Sequence, residues 1–246
     1  MTLTKEAAMT LETQEPENQA CPQREEINDP EFAIREGIHF PKFADHFARL
    51  DFSAPLMPVI ALFPIPPSAE SPLESFEVKV CSLDCQPRII TYEMWRALPR
   101  VQLTVPLICQ IFNWSEEVTW EGVRLADFLD CVGLDTVDNG FFSIHSRDEL
   151  YFEGFSRDEA RDPRMMLATA INGQPLPPAH GGPLRLVVPF LQGYKSVKWV
   201  SSIQATRHDP VGIKRLLGQS KTGRLGRAWR KRFGIVPPAG RPGDPV

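Results

Sequence analysis

The sequence predicts an α+β fold, with mixed short sheets, short helices and long loops. The chain has 246 residues, of which 24 are proline, about twice the usual share of ~5%. Because proline fixes φ and removes a backbone donor, so many prolines keep helices and strands short. Stretches with strand-like alternation and stretches with helical apolar spacing both occur along the chain. The composition therefore disfavours a helix bundle, a coiled coil and a repeat solenoid.

Several apolar stretches have the pattern of strands. Phe76, Val78 and Val80 alternate with charged side chains, which indicates a half-buried strand. Further strands are predicted over Val101–Cys109, Phe141–Ser146, Leu184–Val188 and Val197–Ile203.

Helical spacing predicts short amphipathic helices over Thr91–Leu98 and Arg124–Val132, the second ended by Gly133. Asp162-Pro163 has the form of an N-cap followed by a first-turn proline, which predicts a third helix after it. Asn172-Gly173 is a typical turn sequence and predicts a reversal of the chain.

Charge divides the chain into a disordered acidic tail over residues 1–30, an ordered domain over 31–206 and a basic arm over 207–246. Residues 1–31 carry eight acidic residues against Lys5 and Arg24. Residues 207–246 carry ten Lys or Arg against Asp209 and Asp244. Within the basic arm, the stretch from Ile213 to Phe233 fits either a helix or an extended conformation. The arm is expected to be a solvated face, or to dock an acidic partner or surface.

The sequence predicts a cytoplasmic location. It contains no run of about 18 apolar residues that could cross a membrane. The N-terminal residues contain neither an apolar core nor a twin arginine of the kind found in export signals. The five cysteines are too few for a disulfide scaffold and are expected to be reduced thiols.

Two glycine-bearing loops carry four basic side chains that could meet one anion. His180 and Arg185 flank Gly181-Gly182, and Lys195 and Lys198 follow a second turn at Gly193. Arginine offers a planar fork of donors, lysine offers a point charge, and glycine allows a close backbone approach. The spacing alone fits either a phosphate-binding pair of loops or a hairpin with exposed basic residues.

Cys109 ends an apolar strand where the chain breaks into a loop, a common place for functional side chains. As a thiolate it would be a soft metal ligand, and as a thiol it would be an inert core residue. Position alone leaves both roles open. Cys81 and Cys85 have no second cysteine pair and are expected to be structural.

The order of three motifs resembles the sulfite-oxidase-like molybdopterin oxidoreductase domain, from about Phe76 to Ile203. The motifs are His180-Gly181-Gly182-Pro183 with Arg185 and the following Gly193 to Val200, Cys109 with Trp114 and Trp120 to Leu129, and Asp162-Pro163 with Asn172 to Leu176. The resemblance implies a sulfite-oxidase-like α+β fold over the ordered domain and one molybdenum held by a single pyranopterin (molybdopterin). It also implies that Cys109 is a metal ligand at the catalytic centre.

The same resemblance implies which side chains hold the cofactor. His180, Arg185, Ser196, Val197 and Lys198 match positions that contact the pterin and its phosphate. Ser146 matches a small hydroxyl residue that contacts the cofactor in related proteins. His39 and Arg35 stand near the family's N-terminal Arg and His positions, although the asparagine of that motif is missing and its spacing differs. No general acid or base is implied, and Tyr194 and His145 are nearby candidates.

The substrate expected from this pattern is neutral. Sulfite-oxidising members have arginines just after the cysteine, whereas residues 110–114 are Gln, Ile, Phe, Asn and Trp, with no cation before Arg124. The sequence therefore predicts a molybdenum oxidoreductase that transfers an oxygen atom or two electrons, acts on a sulfoxide rather than on sulfite, and uses a separate electron-transfer protein. The alternative is an inactive cofactor-carrying or partner-docking module of the same fold.

Overall fold

The computed structural model describes residues 72–83, 86–109, 114–134, 140–147 and 150–236, together with residue 238. The predicted acidic tail, Arg35 and His39 lie outside these residues. The predicted domain boundaries stay predictions.

The ten described strands form two five-stranded sheets. In the first, the order is β2-β1-β10-β5-β6, with β1 and β10 parallel and the other neighbours antiparallel. In the second, the order is β3-β4-β7-β8, and β9 also pairs with β7. The strands are β1 Glu77–Cys81, β2 Arg88–Thr91, β3 Val101–Cys109, β4 Trp114–Arg124, β5 Phe141–Ser146, β6 Phe152–Ser156, β7 Met166–Ile171, β8 Gln174–Pro175, β9 Arg185–Val187 and β10 Val200–Thr206.

The helices are short, as the proline content predicts. They are α1 Tyr92–Arg96, α2 Leu125–Cys131, α3 Arg157–Ala160, α4 Ile213–Leu216 and α5 Arg227–Arg232. The predictions of α1 and α2 are confirmed, with Thr91 as the N-cap of α1 and Gly133 at φ +62° after α2. Among the described residues, no helix is long and apolar enough to cross a membrane.

The hydrophobic core is formed by both sheets and by α1 and α2. Val78 from β1, Ile203 from β10 and Leu167 from β7 belong to one buried cluster with Trp95 and Phe128 from the two helices. A second, smaller cluster includes Trp120, Met166, Ala168 and Val187. Strand β7 therefore contributes to both clusters.

The helix predicted after Asp162-Pro163 is wrong, because this sequence forms a turn that leads into β7. Met165 donates its N–H to the carbonyl of Asp162 at 2.9 Å, and Asp162 Oδ1 accepts from the backbone N–H of Arg164 at 2.9 Å. A proline after an Asx residue suits this turn as well as a helix start. The apolar run that follows, interrupted by Thr169, is explained by β7, which is buried on both faces.

The described part of the basic arm folds onto the domain. Helices α4 and α5 are separated by residues 217–226, where Gly218 has φ +85° and Gly223 has φ +66°. Leu225 is buried, and Leu191 forms an isolated bridge with Arg224. The segment is therefore neither one continuous helix nor a free extended arm.

Candidate cofactor site

Cys109 is the last residue of β3 and lies at the tip of the β3–β4 hairpin. Its Cα partner across the ladder is Trp114, the first residue of β4. The predicted bounds of β3 are confirmed. A strand therefore holds the backbone of Cys109.

His180 ends a single 3-10 turn, Pro178–His180, whose geometry is fixed by the glycines after it. Gly181 has φ +100°, and a Cβ added there would lie 2.8 Å from Cβ of Lys198. A Cβ on Gly182 would lie 2.0 Å from the carbonyl oxygen of Leu176. The space beside both glycines is thus filled by the chain itself, which brings Lys198 against the 3-10 turn.

Arg185 lies on β9 and reaches back to this turn. Its Nη1 donates to the carbonyl of His180 at 3.0 Å, and the centre of its guanidinium lies 5.0 Å from the centroid of the Trp120 ring. The side chain is buried, and its Nε has no hydrogen-bond partner in the structure. A buried donor without a partner costs free energy, so this atom favours a ligand that accepts a hydrogen bond.

Lys198 and Trp199 close the same cluster from the second loop. The ammonium of Lys198 donates to the carbonyl of Ala179 at 2.9 Å, and the indole N–H of Trp199 donates to the carbonyl of Pro178 at 2.7 Å. Trp199 has φ +52°, an uncommon conformation for a non-glycine residue. These contacts join the 3-10 turn to the loop that carries Lys198.

The basic side chains of this cluster are held away from water. Burial, with the charges of Arg185 and Lys198, lowers the pKa of His180 to about 4. Burial lowers the pKa of Lys198 to about 7, helped by the charge of Arg185. Burial also lowers the pKa of Arg185 to about 10, which leaves it charged at neutral pH. Within the described residues none of the three makes an ion pair with a carboxylate, so an anion would relieve their mutual repulsion.

Ser196 and Val197 lie in the loop over residues 192–198, named here the 192–198 loop. Ser196 Oγ accepts from the N–H of Val188 at 3.1 Å, which leaves its hydroxyl proton free to donate. Val197 is fully buried, and its backbone N–H and C=O bond to Lys195 and Leu186. Val197 therefore contributes packing, while Ser196 retains a donor.

The 192–198 loop also lies beside the strand end that carries Cys109. A Cβ added to Gly193 would lie 3.1 Å from the carbonyl oxygen of Ile108, the residue before Cys109. The structure therefore brings this loop, the 3-10 turn with His180, and the end of β3 into one region. The sequence places them far apart, at residues 108–109, 180–185 and 193–198.

Ser146 and His145 lie at the end of β5, beside the residues that follow the 192–198 loop. Ser146 is fully buried and pairs with Val200 of β10, while the adjacent Arg147 N–H donates to the carbonyl of Trp199 at 2.7 Å. His145 stacks on Phe152, and its Nε2 lies 2.8 Å from Oγ of Ser143.

Lys195 does not join the other basic residues, so the expectation that it faces the same anion is wrong. Its ammonium lies 2.8 Å from Oε2 of Glu153 on β6 and donates to the carbonyl of Gly154 at 3.1 Å. Both charged side chains are almost completely buried. Glu153 satisfies this lysine, because a lone charge at this depth would be too costly.

Sequence reasoning missed the residues that support the site from neighbouring strands. Strands β4 and β6 were not predicted, so the contact of Trp120 with Arg185 and the pair of Glu153 with Lys195 could not be anticipated. Tyr151, just before β6, donates its hydroxyl to the carbonyl of Tyr194 at 2.5 Å, and burial raises its pKa. No spacing signal links these residues, because each contact joins distant parts of the chain.

A family model described as the oxidoreductase molybdopterin binding domain matches residues 63–213. The chain belongs to this family. The predicted family, its cofactor class and the sulfite-oxidase-like α+β fold are confirmed, and the chain is an oxidoreductase domain that binds molybdopterin.

The share of each relative's length that this chain covers differs between relatives. It is 30% identical over 160 residues to an uncharacterized oxidoreductase, YuiH, of Bacillus subtilis (strain 168), covering 63% of this chain and 79% of that protein. It is 47% identical over 111 residues to the protein-methionine-sulfoxide reductase catalytic subunit MsrP of Xanthomonas axonopodis pv. citri, covering 40% of this chain and 34% of that protein. The sulfane dehydrogenase SoxCD of Paracoccus pantotrophus shares the fold, with a TM-score of 0.50 and 21% identity over 57% of this chain and 40% of that chain.

The described residues fit the anionic part of such a cofactor. His180, Arg185 and Lys198 form a desolvated basic cluster, and Nε of Arg185 lacks an acceptor. Phosphate oxygens are the acceptors that arginine and lysine bind best. In the part of the chain that the structure describes, no group of His, Cys, Asp and Glu could hold a metal ion by itself.

Proposed function

We propose that this chain reduces a sulfoxide at a molybdenum held by one molybdopterin and by the thiolate of Cys109. The observation that carries the proposal is the convergence of the basic cluster, the 192–198 loop and the end of β3. The bound cofactor supplies oxygen-atom transfer coupled to a two-electron change at the metal. Overall, a sulfoxide, two electrons and two protons give a thioether and water.

In this proposal the chain's own residues bind and orient the cofactor. Arg185 and Lys198 bind the phosphate by charge-assisted hydrogen bonds, with the free Nε of Arg185 as one donor. His180, neutral at pH 7, offers a ring donor and a ring acceptor to the pterin. Ser196 donates its hydroxyl proton, and Ser146 lines the same region. His39 stays a further candidate from the sequence.

The choice of a sulfoxide rests on charge. Residues 110–114 follow Cys109 and include no cation, which disfavours a doubly charged anion such as sulfite. Two relatives from Gluconobacter oxydans and Xanthomonas axonopodis are named protein-methionine-sulfoxide reductase catalytic subunits, at 35% and 47% identity. Both observations support a neutral sulfur–oxygen substrate.

The experiment that tests this function compares two substrates on one preparation. The protein is made in a host that synthesises molybdopterin, and its molybdenum content is measured. Methionine sulfoxide is supplied with a reduced viologen dye as electron donor, and sulfite is supplied with ferricyanide as acceptor. We expect turnover with the sulfoxide and much slower turnover with sulfite. Faster oxidation of sulfite would overturn the substrate assignment.

A separate electron-transfer protein is part of the proposal, and the exposed basic side chains of the C-terminal segment are its docking surface. Between Lys214 and Arg232 there are eight Lys or Arg and no acid. Arg227, Lys231 and Arg232 of α5 are exposed, and Leu216 and Leu217 expose 69% and 59% of their area. Such a surface suits an acidic partner.

Replacing the three exposed basic residues of α5 with glutamate is expected to slow reduction of the enzyme by a natural acidic partner but not by a viologen dye. Equal slowing with both electron donors would contradict docking at this surface.

Lys198 predicts a pH dependence of cofactor retention. Its pKa of about 7 without cofactor lies below that of an ordinary lysine, so the group loses its proton as the pH rises from neutrality. A bound phosphate raises this pKa, so affinity falls as the pH rises between the free and bound values. Between pH 7 and 9 we expect molybdenum to dissociate about tenfold faster, the effect of losing one charge-assisted hydrogen bond.

The control for this prediction is Lys198→Arg, because arginine stays protonated across the same range. Retention of molybdenum is measured after desalting at each pH for both proteins. The variant is expected to show little dependence on pH. An equal dependence in the variant would assign the titration to another group.

A further inference from the structure

Residues 209–225, named here the C-terminal strap, contact the 192–198 loop along its outer side. Gln192 donates its backbone N–H to the carbonyl of Gly223 at 2.6 Å, and its Nε2 donates to the carbonyl of Arg224 at 3.0 Å. The hydroxyl of Tyr194 donates to the carbonyl of Ser220. These contacts begin at the first residue of the loop and continue through its 3-10 turn.

The same strap is also hydrogen-bonded to β6. The backbone N–H of Lys214 donates to Oε1 of Glu153 at 3.3 Å, while Oε2 of Glu153 pairs with Lys195 of the loop. A Cβ on Gly212 would lie 2.1 Å from Oε2 of Glu153. One buried carboxylate therefore connects the strap and the loop.

Gly223 is the point of closest approach between strap and loop. It has φ +66°, and a Cβ added there would lie 2.6 Å from Cγ of Lys195. Lys195 cannot easily move aside, because its ammonium is held by Glu153 and by the carbonyl of Gly154. A methyl group at residue 223 must therefore push the strap and the loop apart.

We propose that the C-terminal strap is a positioning element for the cofactor. It locks the 192–198 loop between the strap and the carbonyl of Ile108, and so holds Ser196 and Lys198 in place beside the strand end that carries Cys109. Residues 214–225 follow the last residue matched by the family model, so most of the strap is outside the matched domain. The inference rests on the proposed function for the role of the loop, but not for the contacts themselves.

The test compares Gly223→Ala with Gly218→Ala. Both glycines lie in the strap with positive φ, at +66° and +85°, but a Cβ on Gly218 would meet nothing within 4 Å. The two variants therefore share the backbone strain and differ in contact with the loop. Tyr194→Phe, which removes the hydroxyl bond to Ser220, is a milder second variant if Gly223→Ala fails to fold.

Hydrogen exchange of the amides over residues 192–198 is measured on protein from a host that lacks molybdopterin, and the rate of molybdenum loss is measured on the loaded protein. We expect both to rise about tenfold in Gly223→Ala, the low end of what loss of a supporting contact costs a metal site. The paramagnetic resonance signal of the half-reduced metal should also shift. Gly218→Ala should match the wild type in all three measurements.

Unchanged exchange in both Gly223→Ala and Tyr194→Phe would overturn the proposal that the strap holds the 192–198 loop in place. Faster exchange with unchanged molybdenum retention and an unchanged metal signal would also overturn the positioning role, and would show that the 192–198 loop does not hold the cofactor. Faster exchange without any change at the metal would therefore contradict the proposed cofactor contacts of the loop. Unchanged exchange would contradict only the proposed role of the strap.

Discussion

Cys109→Ser is expected to lower sulfoxide turnover below about one hundredth of the wild-type rate, a larger loss than the 10–100-fold typical of residues that only support a metal ligand. Serine is nearly isosteric with cysteine but is a hard, weakly acidic donor that replaces thiolate poorly at a soft site. Since Cys109 ends β3 at a hairpin tip, the fold should be retained. Turnover with a viologen dye, molybdenum content and far-ultraviolet circular dichroism are the measurements.

Cys131→Ser is the matched control for this substitution. Cys131 is the last residue of α2, is exposed and is a free thiol. We expect this variant to keep wild-type turnover. Full turnover in Cys109→Ser, with its molybdenum retained, would remove Cys109 from the metal centre.

Lys195→Met is expected to cost about 3–5 kcal/mol of unfolding free energy, because it removes the ammonium that pairs with the buried carboxylate of Glu153. The pair is 2.8 Å apart with both side chains at 2% exposure or less, and Lys195 Nζ also lies 5.3 Å from the centroid of the Phe155 ring. Chemical denaturation of the cofactor-free protein measures the loss.

Two comparisons distinguish the free-energy cost of the buried charge from the cost of losing a lysine side chain. Lys221 also pairs with a carboxylate, Asp209, at 2.8 Å, but these side chains are 35% and 21% exposed. Lys221→Met is therefore expected to cost no more than about 1 kcal/mol. The double variant Lys195→Met/Glu153→Gln should be more stable than Lys195→Met alone, since it also removes the buried negative charge that Lys195 compensates. Equal costs for Lys195→Met and Lys221→Met would contradict this account of the pair.

The strands with regular patterns could be predicted closely from the sequence. Val101–Cys109 and Phe141–Ser146 have the predicted bounds, and β9 differs from its prediction by one residue at each end. Two elements with weaker patterns, β4 with its adjacent Glu116 and Glu117 and β6 with its central Gly154, were not predicted.

Other differences have tertiary causes. The predicted strand over Val197–Ile203 begins instead at Val200, because Trp199 has positive φ and the preceding residues bond to the β9 region. The helix predicted after Asp162-Pro163 is a turn and a strand, because a strand buried on both faces has no alternation to distinguish it.

The sequence predicts which types of residue form the candidate site, but not which partner each side chain contacts. His180, Arg185 and Lys198 meet as the glycine-bearing loops suggest, whereas Lys195 pairs with Glu153. A lysine near a glycine turn has the same sequence signal in both roles. Only the position of β6 decides which partner it finds.

The most direct test of the central claim is molybdenum K-edge X-ray absorption on the loaded wild-type protein and on Cys109→Ser. The account predicts near-stoichiometric molybdenum in the wild type, with one more sulfur neighbour at the metal than in the variant. A folded wild-type protein without molybdenum, or an identical number of sulfur neighbours in the two proteins, would contradict it.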